Sequence, residues 1–391
     1  MRVFTCTPFA FGGGADFFAR DSGLLCRGLQ MLGVESRAIM PGDPHADDEA
    51  DLIRTNYANL ESTEWWRNQK IDTVVLYAWG RPRFRRVARA IHRAGIKLIL
   101  NQDNGGFISP LAGFRGWATE QWIMTGRGGT AAQLGAFIKQ FVRGLTVGLF
   151  VTDPLRAQHL RHGDFIACVS PAAAENDRRL CWVYGGRART QKVGMGPHPG
   201  EPNFSFADSA VPKSRQIACI GRWHDHLQKR PFLMQSVLQK LLEKDPDVEV
   251  QIVGTSTDDL VRWHQSLPDE CQTRVHLHGR LDRAQLTHVL GGSQIFYSPS
   301  AYESFGIAAA EALCCGCSVV AKHSVSMASF EWFVSEDSGR LVATDDIQGH
   351  LAALEKELKS WEIGERRPDA ISKTWTNRLH ADRVAQQILN F

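Results

Sequence analysis

The chain has 391 residues, of which 43% are hydrophobic and 22% charged, and its formal net charge is +3. This is the composition of a soluble globular protein, and the length excludes a single ordinary core, so we expect two domains of about 200 residues each. The charge is uneven, since residues 1–200 hold 25 Lys and Arg against 17 Asp and Glu. A basic first half favours an anionic partner, such as a lipid surface, a phosphorylated acceptor or nucleic acid, although a solvated basic surface explains it equally well.

The nine cysteines lack the spacing of a metal site or a disulfide framework. Cys314, Cys315 and Cys317 cluster, but no second cluster accompanies them, so we expect small packed residues rather than zinc ligands. Residues 1–8 are predicted to form a first strand and not a secretion signal, and no apolar run approaches about 18 residues. We therefore expect a cytoplasmic protein.

The first half opens in the manner of a doubly wound α/β domain. A short apolar strand, Val3–Thr7, leads through Gly12–Gly14 into a helical pattern over Ala15–Leu32, and Glu35–Met40 is the next strand. The glycines would let the backbone come close to a ligand. They lack the G-x-G-x-x-G spacing of a dinucleotide site, and a simple tight turn explains the loop by itself.

Polar residues follow a later strand of this domain. Asp72–Tyr77 and Ile96–Leu100 are predicted strands, and the second ends in the polar run Asn101–Gly106. Open α/β sheets bind their ligands at the carboxyl ends of the strands. Asp103, which lies in this run, is therefore a candidate site residue.

An amphipathic helix is predicted over Leu134–Phe150. Its apolar residues are at 134, 137, 138, 141, 142 and 145, with Lys139, Gln140 and Arg143 on the other side. Such a helix either lies on a membrane surface or buries its apolar face on the sheet of its own domain. We expect the second arrangement.

A Gly- and Pro-rich stretch, Gly194–Pro202, ends this pattern, and we place an interdomain linker from there to about Ser214. The second half then alternates between strands and helices with short connections, which predicts a second doubly wound domain. The predicted strands are Gln216–Ile220, Val248–Val253, Arg274–His278, Gln294–Ser298 and Ser318–Ala321. The helices between them include Phe232–Glu243, Asp258–Ser266 and Arg283–Leu290.

One stretch of the second half, Ser298–Ala321, is typical of a phosphate site. A strand stops at a proline, makes a polar turn with Gly306 and leads into an alanine-rich helix. Glu303 and Glu311 are eight positions apart, a little over two helical turns, so both could face one cleft. The free N–H groups of the helix start lie between them and suit a phosphate. A nucleotide sugar, anionic in the middle and rich in hydroxyls at both ends, fits this arrangement.

Two cations are expected at the same edge of the sheet. Arg222 and Lys229 follow the first strand of the second domain, near its carboxyl end. Beside a helix N-terminus, two fixed cations would hold a diphosphate and stabilise it as a leaving group.

Taken jointly, a series of residues between about Gln216 and Val342 resembles the retaining glycosyltransferases of family 4, which have the GT-B fold of two facing Rossmann-like domains. The resembling residues are Gly221-Arg222, Lys229, Ile252-Val-Gly254, His278-Gly279, Ser298-Pro-Ser, Glu303-Ser-Phe-Gly306, Glu311-Ala-Leu, Cys315–Ala321, Glu331 and Ser338–Val342. The first half is similar more loosely, through Gly12–Gly14, the Asp103 region and the linker. The implied domains are residues 1–200 for the acceptor, a linker at 201–214, residues 215–374 for the nucleotide sugar, and a C-terminal helix at 375–391 that packs back on the first domain.

The resemblance also implies roles for individual residues. The donor would be bound by Gly13, Gly14, Arg222, Lys229, Gly254, Arg280, Leu281, Ser304, Phe305, Gly306, Ile307 and Glu311. Catalysis would fall to Glu303, Arg222, Lys229 and Asp103. In this scheme the two cations grip the diphosphate, Glu311 binds the ribose, Glu303 lies beside the donor sugar, and backbone near Arg280 receives the base.

The implied reaction moves a sugar from a nucleotide-diphosphate sugar to a hydroxyl acceptor with retained configuration. UDP is the first expectation for the nucleotide, with GDP or ADP as alternatives. No metal or other cofactor is expected, because the cations replace Mg²⁺, and no nucleic-acid partner is implied. Peripheral membrane contact through the basic first half is a further expectation.

Three departures from the family pattern concern the sugar end. Asn101-Gln102-Asp103 stands where a histidine is usual, Gly196-Pro-His-Pro replaces an Asn-Gly-Val pattern, and residues 324–329 replace a glycine-rich loop. Two alternatives therefore stay open, a sugar-nucleotide epimerase of the same fold and a non-catalytic nucleotide-sugar-binding protein. A dehydrogenase is disfavoured because neither domain has the dinucleotide fingerprint.

Overall fold

The computed structural model describes residues 1–104, 109–126, 129–184, 192–206, 212–327 and 329–391. The chain forms two compact units, one of Met1–Glu201 together with Arg378–Phe391 and the other of Pro202–Asn377. Part of the predicted linker, residues 207–211, lies outside the described residues. So do residues 105 and 106 of the polar run after Ile96–Leu100, and residue 328 of the stretch 324–329.

The first unit is built on a parallel sheet of seven strands in the order β3-β2-β1-β4-β5-β6-β7. The central strands are buried along their whole length, because helices cover both faces of a doubly wound sheet. The strands are β1 Val3–Cys6, β2 Ala38–Pro41, β3 Leu52–Thr55, β4 Thr73–Tyr77, β5 Lys97–Asn101, β6 Phe165–Cys168 and β7 Lys192–Met195.

The helices of this unit connect successive parallel strands, as the doubly wound arrangement requires. They are α1 Ala15–Phe18, α2 Asp21–Met31, α3 Tyr57–Leu60, α4 Thr63–Asn68, α5 Arg85–Arg93 after a 3₁₀ turn at Pro82–Phe84, α6 Pro110–Met124, α7 Thr130–Arg143, a π-helix at Gly144–Thr152, α8 Asp153–Leu160 and α9 Pro171–Tyr184. The predicted helix over Ala15–Leu32 is in fact two helices. The break falls at Asp21, whose φ of 49° is left-handed.

The prediction that the amphipathic helix buries its apolar face on the sheet is wrong. The segment is helical, as α7 followed by the π-helix, but neither part has a buried residue. Its apolar side chains Leu134, Ile138 and Val142 are 49–52% exposed. The sequence pattern shows that one face is apolar, but the pattern does not show what covers that face.

The second unit contains a parallel sheet of six strands in the order β10-β9-β8-β11-β12-β13. The strands are β8 Ser214–Gly221, β9 Glu249–Gly254, β10 Val275–Gly279, β11 Ser293–Ser298, β12 Ser318–Lys322 and β13 Gly339–Val342. The helices are α10 Pro231–Lys244, α11 Asp258–Gln265, α12 Asp269–Gln272, α13 Arg283–Gly292, α14 Ile307–Cys314, α15 Phe330–Phe333, α16 Ile347–Glu362 and α17 Pro368–Leu379, whose last two residues belong to the first unit. The predicted fold class, two doubly wound α/β domains, is confirmed.

A buried carboxylate on α16 contacts two arginines of this unit. Glu357 is fully buried and accepts from Arg366 at 2.5 and 2.9 Å, and the guanidinium of Arg340 lies 3.0 Å from it. Arg366 is itself 6% exposed. Because Glu357 and Arg366 are removed from water, each depends on the other for stabilisation, whereas the side chain of Arg340 is 36% exposed.

The last helix, α18 Ala381–Leu389, belongs to the first unit. Val384, Ala385 and Ile388 are buried in the same core cluster as Leu25 and Leu29 of α2. The ring of Phe391 stacks on that of Phe165 with centroids 3.5 Å apart. The core of the first unit thus includes the chain's final segment.

Candidate functional site

The predicted donor residues of the second unit gather at one edge of its sheet. Strands β8, β9, β10 and β11 are parallel, so the segments that follow them leave from the same edge. Gly254 ends β9 with a φ of 125°, and a Cβ built there would lie 1.9 Å from the carbonyl oxygen of Gly221. Only glycine fits this close approach. Arg280 and Leu281 follow β10, with Arg280 exposed and Leu281 half-buried.

An ion pair between Lys229 and Glu303 lies at this edge. The Lys229 ammonium donates to Glu303 Oε1, and the two side chains are 17% and 11% exposed. Lys229 precedes α10, whose first residue is Pro231, and Glu303 lies in the turn after β11. The structure therefore brings together two predicted residues that are 74 positions apart in the chain.

Gln228 connects this pair to Arg222. Its amide oxygen accepts from Arg222 at 2.8 Å, and its amide nitrogen donates to Glu303 Oε2 and to the carbonyl oxygen of Tyr302, both at 3.2 Å. The side chain of Arg222 is 63% exposed, whereas Gln228 is only 8% exposed. Gln228 fixes the geometry of the array and leaves the guanidinium accessible to an anion.

The start of α14 is open to a ligand, as predicted from the turn. Its N-cap, Gly306, has a φ of 86° and gives no side-chain cap to the first N–H groups of the helix. A Cβ on Gly306 would lie 2.6 Å from the ring of Phe330, so the turn requires glycine. Phe305 is buried beneath it, while Ser304 and Ile307 are exposed. Such a helix start favours a phosphate oxygen.

Glu311 is paired with an arginine that the sequence analysis did not single out. Its Oε1 accepts from Arg283 at 2.7 Å, and Glu311 is 6% exposed. The Arg283 guanidinium lies over the ring of Phe204, 4.7 Å from the centroid. Glu303 and Glu311 therefore hold different cations, and their assignment to different parts of one ligand stays a prediction.

In the first unit, the glycine loop lines a cavity of about 920 Å³. Gly13 and Gly14 lie on its wall together with Asp21 and Trp79. Arg54 lines the same cavity next to Gly13 and donates to Asp48 at 2.8 Å. The cavity lies at the carboxyl end of β1, and binding of a ligand by this loop stays a prediction.

Asp103 lies beside a histidine from the Gly-Pro-rich stretch. The Nε2 atom of His198 is 2.6 Å from Asp21 Oδ1, and one ligand atom from each of Asp21, Asp103 and His198 lies within 4.8 Å of the others. The indole of Trp79 donates to Asp103 at 3.3 Å. The sequence analysis found no such acid–base cluster in the first half, since Asp21 and His198 are 177 positions apart.

Burial and charge act in opposite directions on this cluster. Burial raises the pKa of Asp103, and the positive charge of His198 opposes that rise. Burial also disfavours the charged form of His198, but the attraction and hydrogen bond of Asp21 outweigh this and raise the pKa of His198 to about 9. The same interaction overcomes the burial of Asp21 and holds its pKa well below the usual range.

The His198–Asp21 pair predicts a stability that falls in alkaline solution. The folded-state pKa of His198 lies above its ordinary 6.5, so the contribution is complete below pH 6.5 and disappears as pH rises through about 9. A rise from 6.5 to about 9 corresponds to about 3 kcal/mol. We expect urea unfolding to show a large loss for His198→Gln at about pH 6 and almost none at about pH 10.

The matched control is His45→Gln, because the side chain of His45 is exposed and its backbone N–H makes the local contact. That variant is expected to unfold like the wild type at both pH values. An equal loss for His198→Gln at both pH values would show that its contribution is packing and not charge.

The second unit matches a known protein family. Residues 214–360 match the family model described as glycosyl transferases group 1. The phosphatidyl-myo-inositol mannosyltransferase of Mycolicibacterium smegmatis is 31% identical over 157 residues, 38% of this chain and 39% of that protein. The tRNA-queuosine alpha-mannosyltransferase of Drosophila melanogaster is 30% identical over 105 residues, 27% of each chain. The chain therefore spans about two fifths or less of the curated relatives that it matches.

Solved structures resemble the whole chain. The apo form of the lipopolysaccharide outer core galactosyltransferase WaaB is 12% identical with a TM-score of 0.65, over 100% of this chain and 98% of that one. At this identity the likeness concerns the fold alone, and it confirms the GT-B fold class that the sequence resemblance implied.

Proposed function

We propose that this chain, whose residues 214–360 belong to the group 1 glycosyltransferases, moves a sugar from a nucleotide-diphosphate sugar to a hydroxyl acceptor. The observation that carries the proposal is the array of Arg222, Gln228, Lys229 and Glu303 beside the uncapped start of α14. Two cations and a helix N-terminus bind a diphosphate, and a carboxylate among them suits a polyhydroxylated sugar.

Leaving-group stabilisation is the main catalytic effect in this proposal. The bond between the anomeric carbon and the diphosphate oxygen breaks, and negative charge develops on that oxygen. We propose that Lys229 and Arg222 neutralise this charge, and their side chains are already held by Glu303 and Gln228. Because a lysine and an arginine take the place of a metal ion in this scheme, we propose that transfer needs no metal.

We further propose retention of configuration. The acceptor oxygen forms its bond on the face from which the diphosphate departs, and the departing phosphate takes the acceptor's proton. Glu303 would orient the sugar hydroxyls and support the positive charge on the ring, while Glu311 would hold the ribose. Both carboxylates are paired with cations, which keeps them in place before the donor arrives.

UDP is the first choice of nucleotide. HepE from Anabaena, described in complex with UDP and glucose, is 13% identical to this chain with a TM-score of 0.59, over 100% of this chain and 99% of that one. The two curated relatives are named as mannosyltransferases, which motivates GDP-linked sugars as the second donors to assay. We propose a cytoplasmic enzyme whose acceptor binds the first unit.

Thermal unfolding with nucleoside diphosphates tests the site. UDP, GDP and ADP are compared in the presence of EDTA, and one of them is expected to raise the Tm at millimolar concentration. A ligand at about 100 times its Kd adds about 2.7 kcal/mol of stability, which is several degrees for a domain of this size. A shift that requires Mg²⁺ or Mn²⁺ would contradict the metal-free site.

The matched variants for this measurement are two exposed arginines of the second unit. Arg222→Ala is expected to abolish most of the shift, because the diphosphate loses one of its two cations. Arg262→Ala removes a side chain that is 69% exposed and pairs only with its neighbour Asp259, among the ion pairs of the described residues. That control should keep the full shift.

A sugar-nucleotide epimerase remains the second candidate, on one specific observation. The cluster of His198, Asp21 and Asp103 supplies acid and base groups in the first unit, which the sequence analysis did not find. Incubating the donor without acceptor and resolving the products separates the two functions. An epimerised nucleotide sugar would favour the epimerase, whereas a glycosylated product that forms only with acceptor favours the transferase.

A further inference from the structure

Among the residues that the structure describes, nothing covers the outer side of a long apolar helical segment of the first unit. Thr130–Leu160 is helical throughout, and the most apolar 18-residue stretch in it is 0% buried. The neighbouring α6 adds Phe114 and Met124, which are 52% and 46% exposed. Large exposed apolar surfaces are rare in soluble monomers and mark contact with a partner or a membrane.

The two helices form a hairpin, and aromatic side chains pack between them. Phe137 and Phe141 of α7 pack on Trp122 and Trp117 of α6, with ring centroids 5.3 Å apart in both pairs. Leu134, Ile138 and Val142 lie on the adjacent stripe of α7 and are about half exposed. We call this stripe, together with Phe114 and Phe150, the hairpin surface.

The charges around the hairpin surface are positive. Residues 129–152 contain Lys139 and Arg143 and no Asp or Glu, and residues 109–126 contain Arg115 and Glu120. Within the part of the chain that the structure describes, none of these three cations forms an ion pair. Burial raises the pKa of Glu120 to about 7, so this carboxyl is partly neutral at neutral pH. The surface is therefore complementary to anions.

Lys139 and Arg143 each follow an apolar residue of the stripe by one position. Long basic side chains at such positions lay their methylene groups along an apolar surface and place their charge at lipid headgroups. Apolar side chains flanked by cations are typical of helices that lie in the interface of an anionic bilayer.

The connections of the hairpin favour lying on a bilayer over crossing it. At its start, the hydroxyl of Ser109 donates to Asp153, the first residue of α8 at its end. Asp153 also pairs with Arg156, which donates to the carbonyl oxygen of Gly80 at 3.0 Å. Both ends of the hairpin thus return to the same buried point of the domain, and two cations lie in the middle of its apolar helix.

We propose that the hairpin surface docks the protein on the surface of an anionic lipid bilayer. The apolar stripe enters the boundary between headgroups and acyl chains, and Lys139, Arg143 and Arg115 contact the lipid phosphates. This docking goes beyond sugar transfer and does not depend on it.

Vesicle sedimentation of the full chain tests the proposal. The protein is mixed with vesicles of phosphatidylcholine alone or with about a third of phosphatidylglycerol, at low and at physiological salt. We expect binding to the anionic vesicles that weakens with salt, and little binding to the neutral ones. Ile138→Glu with Val142→Glu should lower the binding constant more than tenfold, and Lys139→Gln with Arg143→Gln by about tenfold.

The control is Ile363→Glu, because Ile363 is 55% exposed in the second unit and matches Ile138 at 51%. It should bind vesicles as the wild type does, and circular dichroism and thermal unfolding should show all variants folded. The proposal would be overturned by no binding at low salt, by binding of both double variants as tight as that of the wild type, or by retention in vesicles after alkaline carbonate, which would mean a spanning segment. A stable dimer that ignores vesicles and is broken by Ile138→Glu would assign the surface to a second copy.

Discussion

Lys229→Ala is expected to lower kcat/KM for sugar transfer by at least about a hundredfold, with the fold intact. Lys229 supplies a partly buried positive charge at the edge of the sheet where the diphosphate would depart. Gln228 cannot replace it, because its side chain is uncharged. Glu303 remains hydrogen-bonded to Gln228 when the ammonium is lost, so the turn after β11 keeps one of its anchors. The effect should therefore appear in kcat more than in thermal stability.

Donor turnover and Tm are measured together for Lys229→Ala, Glu303→Ala and Lys244→Ala. Lys244 is the matched control, because it is a lysine of the same unit whose side chain is 58% exposed and pairs with Glu355 at the surface. Lys244→Ala should retain wild-type activity. Full activity in both Lys229→Ala and Glu303→Ala would mean that their ion pair is structural.

Glu357→Ala is expected to destabilise the second unit by about 3–5 kcal/mol. The substitution leaves Arg366, which is 6% exposed, without its bidentate partner and removes an ion-pair partner of Arg340. The cost of a buried charge without a counterion exceeds the loss of a surface pair several-fold. Urea unfolding followed by tryptophan fluorescence gives the free energy of unfolding directly.

Glu355→Ala is the control for that measurement, since Glu355 lies on the same helix and is 42% exposed in a surface pair. It should change the free energy of unfolding by less than about 1 kcal/mol. Nearly equal effects for the two variants would show that the buried pair of Glu357 and Arg366 adds no more than a surface pair. The activity of Glu355→Ala should also stay at the wild-type level.

The alternation of strands and helices was predictable because fully buried parallel strands are continuous apolar runs. β4, Thr73–Tyr77, is of this kind, since all five of its residues are buried. Edge strands are harder to find: β3, Leu52–Thr55, has one buried residue of four, and β7, Lys192–Met195, has none. Their short, mixed sequences carry no period that distinguishes them from loops.

The candidate site was predictable where its residues belong to short stretches with a fixed local geometry. Gly306 and the helix after it are of this kind. Pairs of residues that are distant in the sequence and come together only in the fold were missed, such as Arg283 with Glu311 and Asp21 with His198. The sequence around one member of such a pair does not identify the other. Gln228 could have been found from its position next to Lys229. The packing of α7 was mispredicted because amphipathicity identifies a face but not its cover.

The course of the chain between the two units also constrains how the protein is made. Residues 202–377 are contiguous, so the second unit is complete as soon as they have left the ribosome. The first unit begins earlier, yet its core lacks Val384, Ala385 and Ile388 until residues 378–391 emerge. During synthesis, the apolar faces of α2 and of the first sheet therefore stay uncovered while some 180 further residues are added and until α18 is made. The domain that starts first is the last to finish folding.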